Sequence, residues 1–294
     1  MADPAGLVDR LSRQAGVVML MGGPDTGKTT LARQLLAEAL RIGRTAAYVD
    51  ADVGQTTVGP PTCVGLKQAR QRNDLDHLEQ ADDLRFVGSI SPDRAVLQQV
   101  VATATLVEAA RAQADLVVLD TTGAISGVVG QTLKYHKMEL CRPEVVVALQ
   151  RGEEMEPIVG MLRRFFSGQV EVAGVHPEVV PVSAEQRRAH RAARFAQAFA
   201  PPLQRWRVRS TVFAPTLPAG LDTSRLHGML VGLQDGSGRC LGLGILEHGD
   251  EQTLRVITNS GEGMRGLRLG TMRIDLHTFQ STRVDLREVM FGLV

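Results

Sequence analysis

Cysteine is scarce. Cys63, Cys141 and Cys240 are the only three in 294 residues, spaced too widely for a CxxC metal site and too few for a disulfide framework, which points to a reducing compartment. Aromatic residues number 11, and no apolar run approaches the ~18–20 residues of a membrane-spanning helix. The opening MADPAGLVDRLSRQAG lacks the cationic start and hydrophobic stretch of a secretory signal. The expectation is a cytoplasmic chain with no membrane association. No charge excess exists either, 33 basic against 32 acidic residues, so any polyanion site has to be a local patch. The seven histidines show no HExxH or paired-ligand spacing and no serine sits in GxSxG, which removes support for a zinc or serine hydrolase. Lysine is nearly absent, with Lys28, Lys67, Lys134 and Lys137 set against 29 arginines.

What is present has globular proportions, 44% apolar and 22% charged. Through the first two thirds, short apolar runs alternate with longer amphipathic ones, the pattern of a parallel sheet covered by helices. Strands are expected over 17–21, 45–49, 84–87, 116–119, 144–149 and 169–173, and helices over 28–41, 95–113, 128–140, 153–166 and 184–199. After Pro201-Pro202 the texture changes to short strands with glycine-rich turns, including the hairpin signal Gln234-Asp235-Gly236-Ser237-Gly238. The expected organisation is an α/β P-loop NTPase domain over 1–204, with a mainly parallel sheet flanked by helices, and a small mostly-β domain over 205–294.

Gly22-Gly23-Pro24-Asp25-Thr26-Gly27-Lys28-Thr29 satisfies GxxxxGK(S/T) between an apolar strand and a helix. Composition yields roughly 0.004 chance matches per chain of this length. The glycines let successive backbone N–H groups converge on phosphate oxygens. The helix N-terminus adds partial positive charge, Lys28 reaches terminal phosphates, and Thr29 can ligate Mg²⁺. A nucleoside triphosphate, ATP or GTP, is the expected ligand, held by residues 23–30: Gly23, Pro24, Asp25, Thr26, Gly27, Lys28, Thr29 and Thr30.

Two further strands end in acids. Asp50 and Asp52 in VDADVGQ stand two apart after a strand, so period two predicts that both carboxylates face one site, one toward Mg²⁺ and one toward a substrate hydroxyl. LVVLD followed by TTG places Asp120 as a Walker B acid close to Mg²⁺, with Thr121 and Gly123 in a loop that senses the terminal phosphate. The expected metal set is Thr29, Asp50, Asp52 and Asp120.

These strings together, GGPDTGKTTL, YVDADVGQTTVGPP, FVGSISP, DTTG and KMELCRPEVVVALQR, resemble the Clp1/Grc3/Nol9-type polynucleotide 5′-hydroxyl kinases, especially their short archaeal and bacterial members. The likeness runs over 17–199, and the β-rich tail is similar too. It implies transfer of the γ-phosphate of ATP, or another nucleoside triphosphate, to the 5′-hydroxyl of RNA or DNA, in RNA processing or end repair. Lys28 would bind phosphate, Thr29 would ligate Mg²⁺, Asp52 would orient or deprotonate the hydroxyl, Gln55 would organise metal and substrate, and Thr121 would fall in the family's TxGW clasp. The clasp tryptophan is Ala124 here. Of two lid arginines five apart, Arg187 matches the second, while Val182 occupies the first. The N-terminal β domain of eukaryotic members has no counterpart ahead of the P-loop. A nucleotide-binding scaffold, or a P-loop GTPase or metabolite kinase, are the alternatives. The DxDxGQ string and the lack of NKxD weigh against the GTPase.

Within the neutral total, residues 183–209 carry seven arginines against Glu185 alone. Arg187, Arg191 and Arg194 share one helical stripe, with Phe195 and Phe199 on the neighbouring face, so the apolar face should dock and the basic one meet phosphates. Lys134 and Lys137, on the helix after Thr-Thr-Gly, are further substrate-phosphate candidates. Protein partners are not indicated.

Overall fold

The computed structural model describes residues 4–249 and 253–292. The chain divides into two compact units: Met1–Gly59, Val64–Asp83 and Ser91–Ser183 make up the first, and Pro60–Cys63, Leu84–Ile90 and Ala184–Val294 the second. The expected division at 204 differs from this one in two ways. The helix after Ser183 groups with the C-terminal unit, and so do two short stretches from the middle of the chain.

The elements follow in the order α1 Pro4–Gln14, β1 Val17–Gly22, α2 Lys28–Arg41, β2 Ala46–Ala51, β3 Cys63–Ala69, β4 Asp83–Phe86, α3 Val96–Arg111, β5 Leu116–Thr121, α4 Gly127–Cys141, β6 Val145–Gln150, α5 Glu156–Phe165 and β7 Gln169–Gly174. They build a seven-stranded sheet ordered β4-β3-β2-β5-β1-β6-β7. β1, β2, β5, β6 and β7 run parallel, while β2 and β3 pair antiparallel. β1, β2 and β5 are buried along their whole length, as strands covered on both faces are, which explains the apolar runs that precede their acidic ends in β2 and β5. β3 escapes sequence reading because CVGLKQA alternates too weakly, and α1 is a further element that was not expected. Leu7 and Leu11 of α1 nevertheless pack into the core with Leu31, Leu35, Tyr48 and Val118.

The second unit holds α6 Ala184–Ala198, β8 Gln204–Val208, β9 Met229–Gln234, β10 Cys240–His248, β11 Leu254–Thr258, β12 Gly266–Ile274, β13 Ser281–Arg283 and α7 Leu286–Phe291. Six antiparallel strands form a sheet ordered β13-β12-β9-β10-β11-β8. The expected hairpin joins β9 to β10, its turn held by Asp235 accepting from the Ser237 and Arg239 N–H groups. Phe195 and Phe199 are buried with Leu230, Leu243 and Ile245. The apolar face of α6 therefore docks as expected, in the core of the C-terminal unit.

One glycine in the first unit positions the functional loop. A Cβ at Gly65 of β3 would lie 2.5 Å from the Val58 carbonyl oxygen, so the loop after β2 folds back onto β3 only because position 65 has no side chain. Gly65→Ala should cost about 1–3 kcal/mol through overpacking, measurable as a lower denaturation midpoint; an unchanged midpoint would show that the loop yields freely.

Candidate active site

The P-loop leaves β1 at Gly22 and enters α2 at Lys28. Gly27 takes a left-handed φ of 86° as the cap of α2, and Asp25 adopts φ 53° without being glycine. That conformation is held from outside the loop: the Arg151 guanidinium donates to the Asp25 carbonyl at 2.5 Å, and the Val182 N–H donates to Asp25 Oδ2 at 3.1 Å. Thr26 Oγ1 donates to Gly23 O at 3.0 Å. Lys28 is buried, its Nζ donating to Gly22 O and Gly23 O at 3.1 and 2.6 Å. The ammonium thus lies across the loop that would cradle phosphate. Thr30 follows Thr29 in the first turn of α2.

Adjacent pairing of β1 and β5 brings the Walker elements together, with Leu20 opposite Asp120. Thr29 Oγ1 donates to Asp120 Oδ2 at 2.7 Å, and Tyr48 OH donates to the same oxygen at 3.0 Å. Asp120 Oδ1 is buried with no hydrogen-bond partner. Burial pushes the Asp120 carboxyl above its usual range, opposed by Lys28 and by the Thr29 hydroxyl.

The two acids of VDADVGQ part company. Asp50 is buried, accepting from Asp52 N–H through Oδ1 and from Thr57 and Val58 N–H through Oδ2. Burial, with Asp120 and Asp52 nearby, pushes it up to about 8. The expectation that Asp50 binds metal beside Asp52 is corrected here. β2 ends at Ala51, the chain turns, and both Asp50 oxygens are occupied in holding the loop that carries Asp52. Asp52 itself is partly exposed and accepts from Gly54 and Gln55 N–H at 3.0 Å through Oδ1. Gln55 turns its Nε2 to the Gly54 carbonyl at 2.8 Å.

The loop after β5 closes over the P-loop through backbone. A Cβ on Gly123 would meet Pro24 N at 2.7 Å, and one on Gly23 would touch the Ile125 side chain at 3.5 Å. Thr121 Oγ1 donates to Leu20 O at 2.7 Å, so its hydroxyl is directed into the sheet. Lys134 is wholly buried and donates to Thr121 Oγ1 and Thr122 O, both at 2.6 Å. Burial, with Lys137 and Lys28 nearby, draws the Lys134 ammonium well below its usual range, opposed by Asp52 and Asp120. Lys137 is equally buried, and its Nζ has no hydrogen-bond partner. Burial draws it down to about 8, against the pull of Cys141, Asp52, Asp50 and Asp120. Three of the four lysines in the chain, Lys28, Lys134 and Lys137, therefore converge with Asp52 and Asp120 in one cluster. Arg187, Arg191 and Arg194 lie on α6, in the second unit.

Two members were not foreseen. Tyr48 carries no motif; its position directly before VD on a buried strand was the only signal. Gln99, buried on α3, donates to the Ala51 carbonyl at 2.7 Å and anchors the end of β2, with nothing in the sequence to single it out.

The donor set fits Mg²⁺. Thr29 Oγ1, the unpartnered Asp120 Oδ1 and the Asp52 carboxylate are hard oxygens, and Mg²⁺ takes few protein ligands and completes its shell with water and phosphate. Among the described residues, no group of three or more His, Cys, Asp or Glu could hold a metal without such help.

The family model for the mRNA cleavage and polyadenylation factor CLP1 P-loop matches residues 22–200, more than half the chain. The chain belongs to that family. Proteins similar to this chain include a polyribonucleotide 5′-hydroxyl-kinase of Methanocaldococcus jannaschii, 28% identical over 88% of this chain and 87% of its own. A polyribonucleotide 5′-hydroxyl-kinase of Pyrococcus furiosus is 28% identical over 94% and 86%. Among solved structures, Clp1p in complex with Pcf11p superposes with a TM-score of 0.66 at 13% identity, covering 91% of this chain and 77% of that one, a likeness of fold.

Asp50 and Asp52 should respond differently to substitution. Asp50→Ala strands three N–H groups in the interior and should cost about 3 kcal/mol or more, whereas Asp52→Asn should leave the denaturation midpoint within about 0.5 kcal/mol. Equal losses would refute the division of roles. Lys137 gives the opposite sign. Its folded pKa lies below the usual 10.5, so the folded state binds fewer protons and the chain gains stability as pH rises from about 8 toward 10.5. Lys137→Met should abolish that gain and raise the thermal midpoint at pH 7 by ~2–4 °C; a lowered midpoint would show that the ammonium stabilises the fold.

Proposed function

We propose that this protein is a polynucleotide 5′-hydroxyl kinase, transferring the γ-phosphate of ATP or another nucleoside triphosphate to the 5′-hydroxyl of RNA or DNA with the help of Mg²⁺. The observation that carries this reading is the joining of the P-loop, through the Thr29–Asp120 hydrogen bond, to a cluster that also contains a separately presented carboxylate, Asp52. A nucleotide-hydrolysing switch needs the first part. An acid for an alcohol acceptor is what kinase chemistry adds. The polyribonucleotide 5′-hydroxyl-kinases similar to this chain over nearly its whole length support the same assignment.

In this reading Lys28 leaves the Gly22 and Gly23 carbonyls to neutralise the terminal phosphates, and the P-loop N–H groups fix their orientation. Thr29 and Asp120 would hold Mg²⁺, Asp120 using the oxygen that has no protein partner. The metal would supply charge neutralisation on the triphosphate. Asp52, fixed through one oxygen by the Gly54 and Gln55 N–H groups, keeps its other oxygen for the acceptor hydroxyl, which it orients and whose proton it takes. Lys134 holds Thr121 and Thr122 in place. Lys137 contributes positive charge where phosphate oxygens gather. Catalysis of this kind is positioning and electrostatics, with no covalent intermediate on the protein.

Lys28→Ala and Asp52→Asn should each lower 5′-labelling of a 5′-hydroxyl oligonucleotide by at least ~10²-fold, measured with γ-labelled ATP and RNA and DNA ends in parallel. Full activity in Asp52→Asn would remove it as the base. Nucleotide binding without labelling in the unaltered protein would make it a scaffold instead.

A further inference from the structure

Tyr48 has no exposed surface and packs in the core of the first unit with Leu20, Leu35 and Val118. A phenylalanine would fill that space. Tyrosine adds a hydroxyl, which is costly to bury unless it is hydrogen-bonded, so the groups it meets decide what it does.

Those groups belong to opposite halves of the site. Period two sets Tyr48 and Asp50 on one face of β2, and the parallel register with β5 places Asp50 beside Asp120. The phenol donates to Asp120 Oδ2 at 3.0 Å. A further hydrogen-bond partner of the phenol is the Thr57 side chain. Burial, with Asp120 and Asp50 nearby, pushes the phenol well above its ordinary range and keeps it protonated. Its single proton goes to Asp120, so the Thr57 hydroxyl donates to the phenol oxygen.

Thr57 lies in the loop that presents Asp52. Its backbone N–H and that of Val58 donate to Asp50 Oδ2, and Asp50 Oδ1 accepts from the Asp52 N–H. Asp52 in turn accepts from the Gly54 and Gln55 N–H groups. A run of hydrogen bonds therefore leads from Thr29 through Asp120, Tyr48 and Thr57 to the loop around Asp52, all inside the first unit.

One end of that run is unfinished. Thr29 and Tyr48 both donate to Oδ2 of Asp120, while Oδ1 is buried without a hydrogen-bond partner. A carboxylate held through one oxygen can turn about it. A partner on the other oxygen stops that turning and fixes the acceptor of the phenol, and through the phenol it fixes Thr57. Hydrogen bonds in series reinforce one another where water is excluded, and ordering one end lowers the entropic cost of ordering the other.

We propose that the Tyr48 hydroxyl is a positioning group that couples loading of nucleotide and metal at Asp120 to ordering of the Asp52 loop for the acceptor alcohol. This deepens the kinase reading and rests on it for the roles of Asp120 and Asp52.

Hydrogen exchange tests the coupling without turnover. The full chain is followed with and without Mg²⁺ plus a non-hydrolysable ATP analogue, comparing amides of residues 52–58 with those of P-loop residues 23–30. In the unaltered protein both segments should be protected, the 52–58 amides by about 5-fold or more. In Tyr48→Phe, and equally in Thr57→Val, which leaves Asp120 its tyrosine partner, P-loop protection should persist while the 52–58 response shrinks to about 2-fold or less. The double variant should lose no more than Tyr48→Phe alone, because both changes cut one path. In 5′-labelling, each variant should raise KM for the oligonucleotide about 5-fold or more and leave KM for ATP within about 2-fold. A full 52–58 response in either variant, or P-loop protection with no response at 52–58 in the unaltered protein, would overturn the coupling and leave the kinase reading standing. A 52–58 response that both variants lose, in a protein that labels no oligonucleotide, would keep the coupling and refute the kinase reading. No protection of either segment would refute both.

Discussion

The hydrogen bond from Thr29 to Asp120 is the fixed point of the site. It joins the first turn of α2 to the end of β5, and it forms because β1 and β5 are parallel neighbours in a register that sets Leu20 opposite Asp120. Tyr48 approaches the same carboxylate oxygen from β2, so β2 and the first turn of α2 are both tied to the C-terminal end of β5. That is where ligands of open α/β sheets bind. The other oxygen of Asp120 is left buried and unpartnered, a cost to the fold that a hard cation or its water would offset.

Around this point the first unit buries acidic and basic side chains together. Asp50, Asp120, Lys134 and Lys137 lie in the interior, where an isolated charge would be strongly disfavoured. They are tolerated because burial moves each toward its neutral form, and because Asp50 and Lys134 are hydrogen-bonded to backbone. Lysine suits such a place better than arginine, being compact and able to shed its proton under desolvation. A chain that uses arginine almost everywhere else retains lysine at three positions of this cluster.

Much of this was readable in advance. GGPDTGKT, the apolar strand before it and the acid ending LVVLD specify their own local geometry: glycine tolerates the loop angles, an unbroken apolar run specifies a buried strand, and a terminal acid falls at the sheet edge. The pair Asp50 and Asp52 was not readable in the same way. Alternation assumes an extended chain, and β2 stops between them, so one carboxylate turns inward to three N–H groups while the other stays outside. α6 likewise looked like the last helix of the nucleotide domain by order along the chain. Its phenylalanines pack with strands that come later.

Chemistry that depends on a few neighbours in sequence was therefore written in the residues: the phosphate loop, its helix, the Walker acid and the family these strings resemble. Folding alone settled whatever depends on which distant groups become adjacent. Tyr48 and Gln99 become supports, and Lys137 is left without a partner. The physical reason is that burial, pairing and strand order are properties of contacts across the chain, and a side chain's role follows from the groups that replace its water.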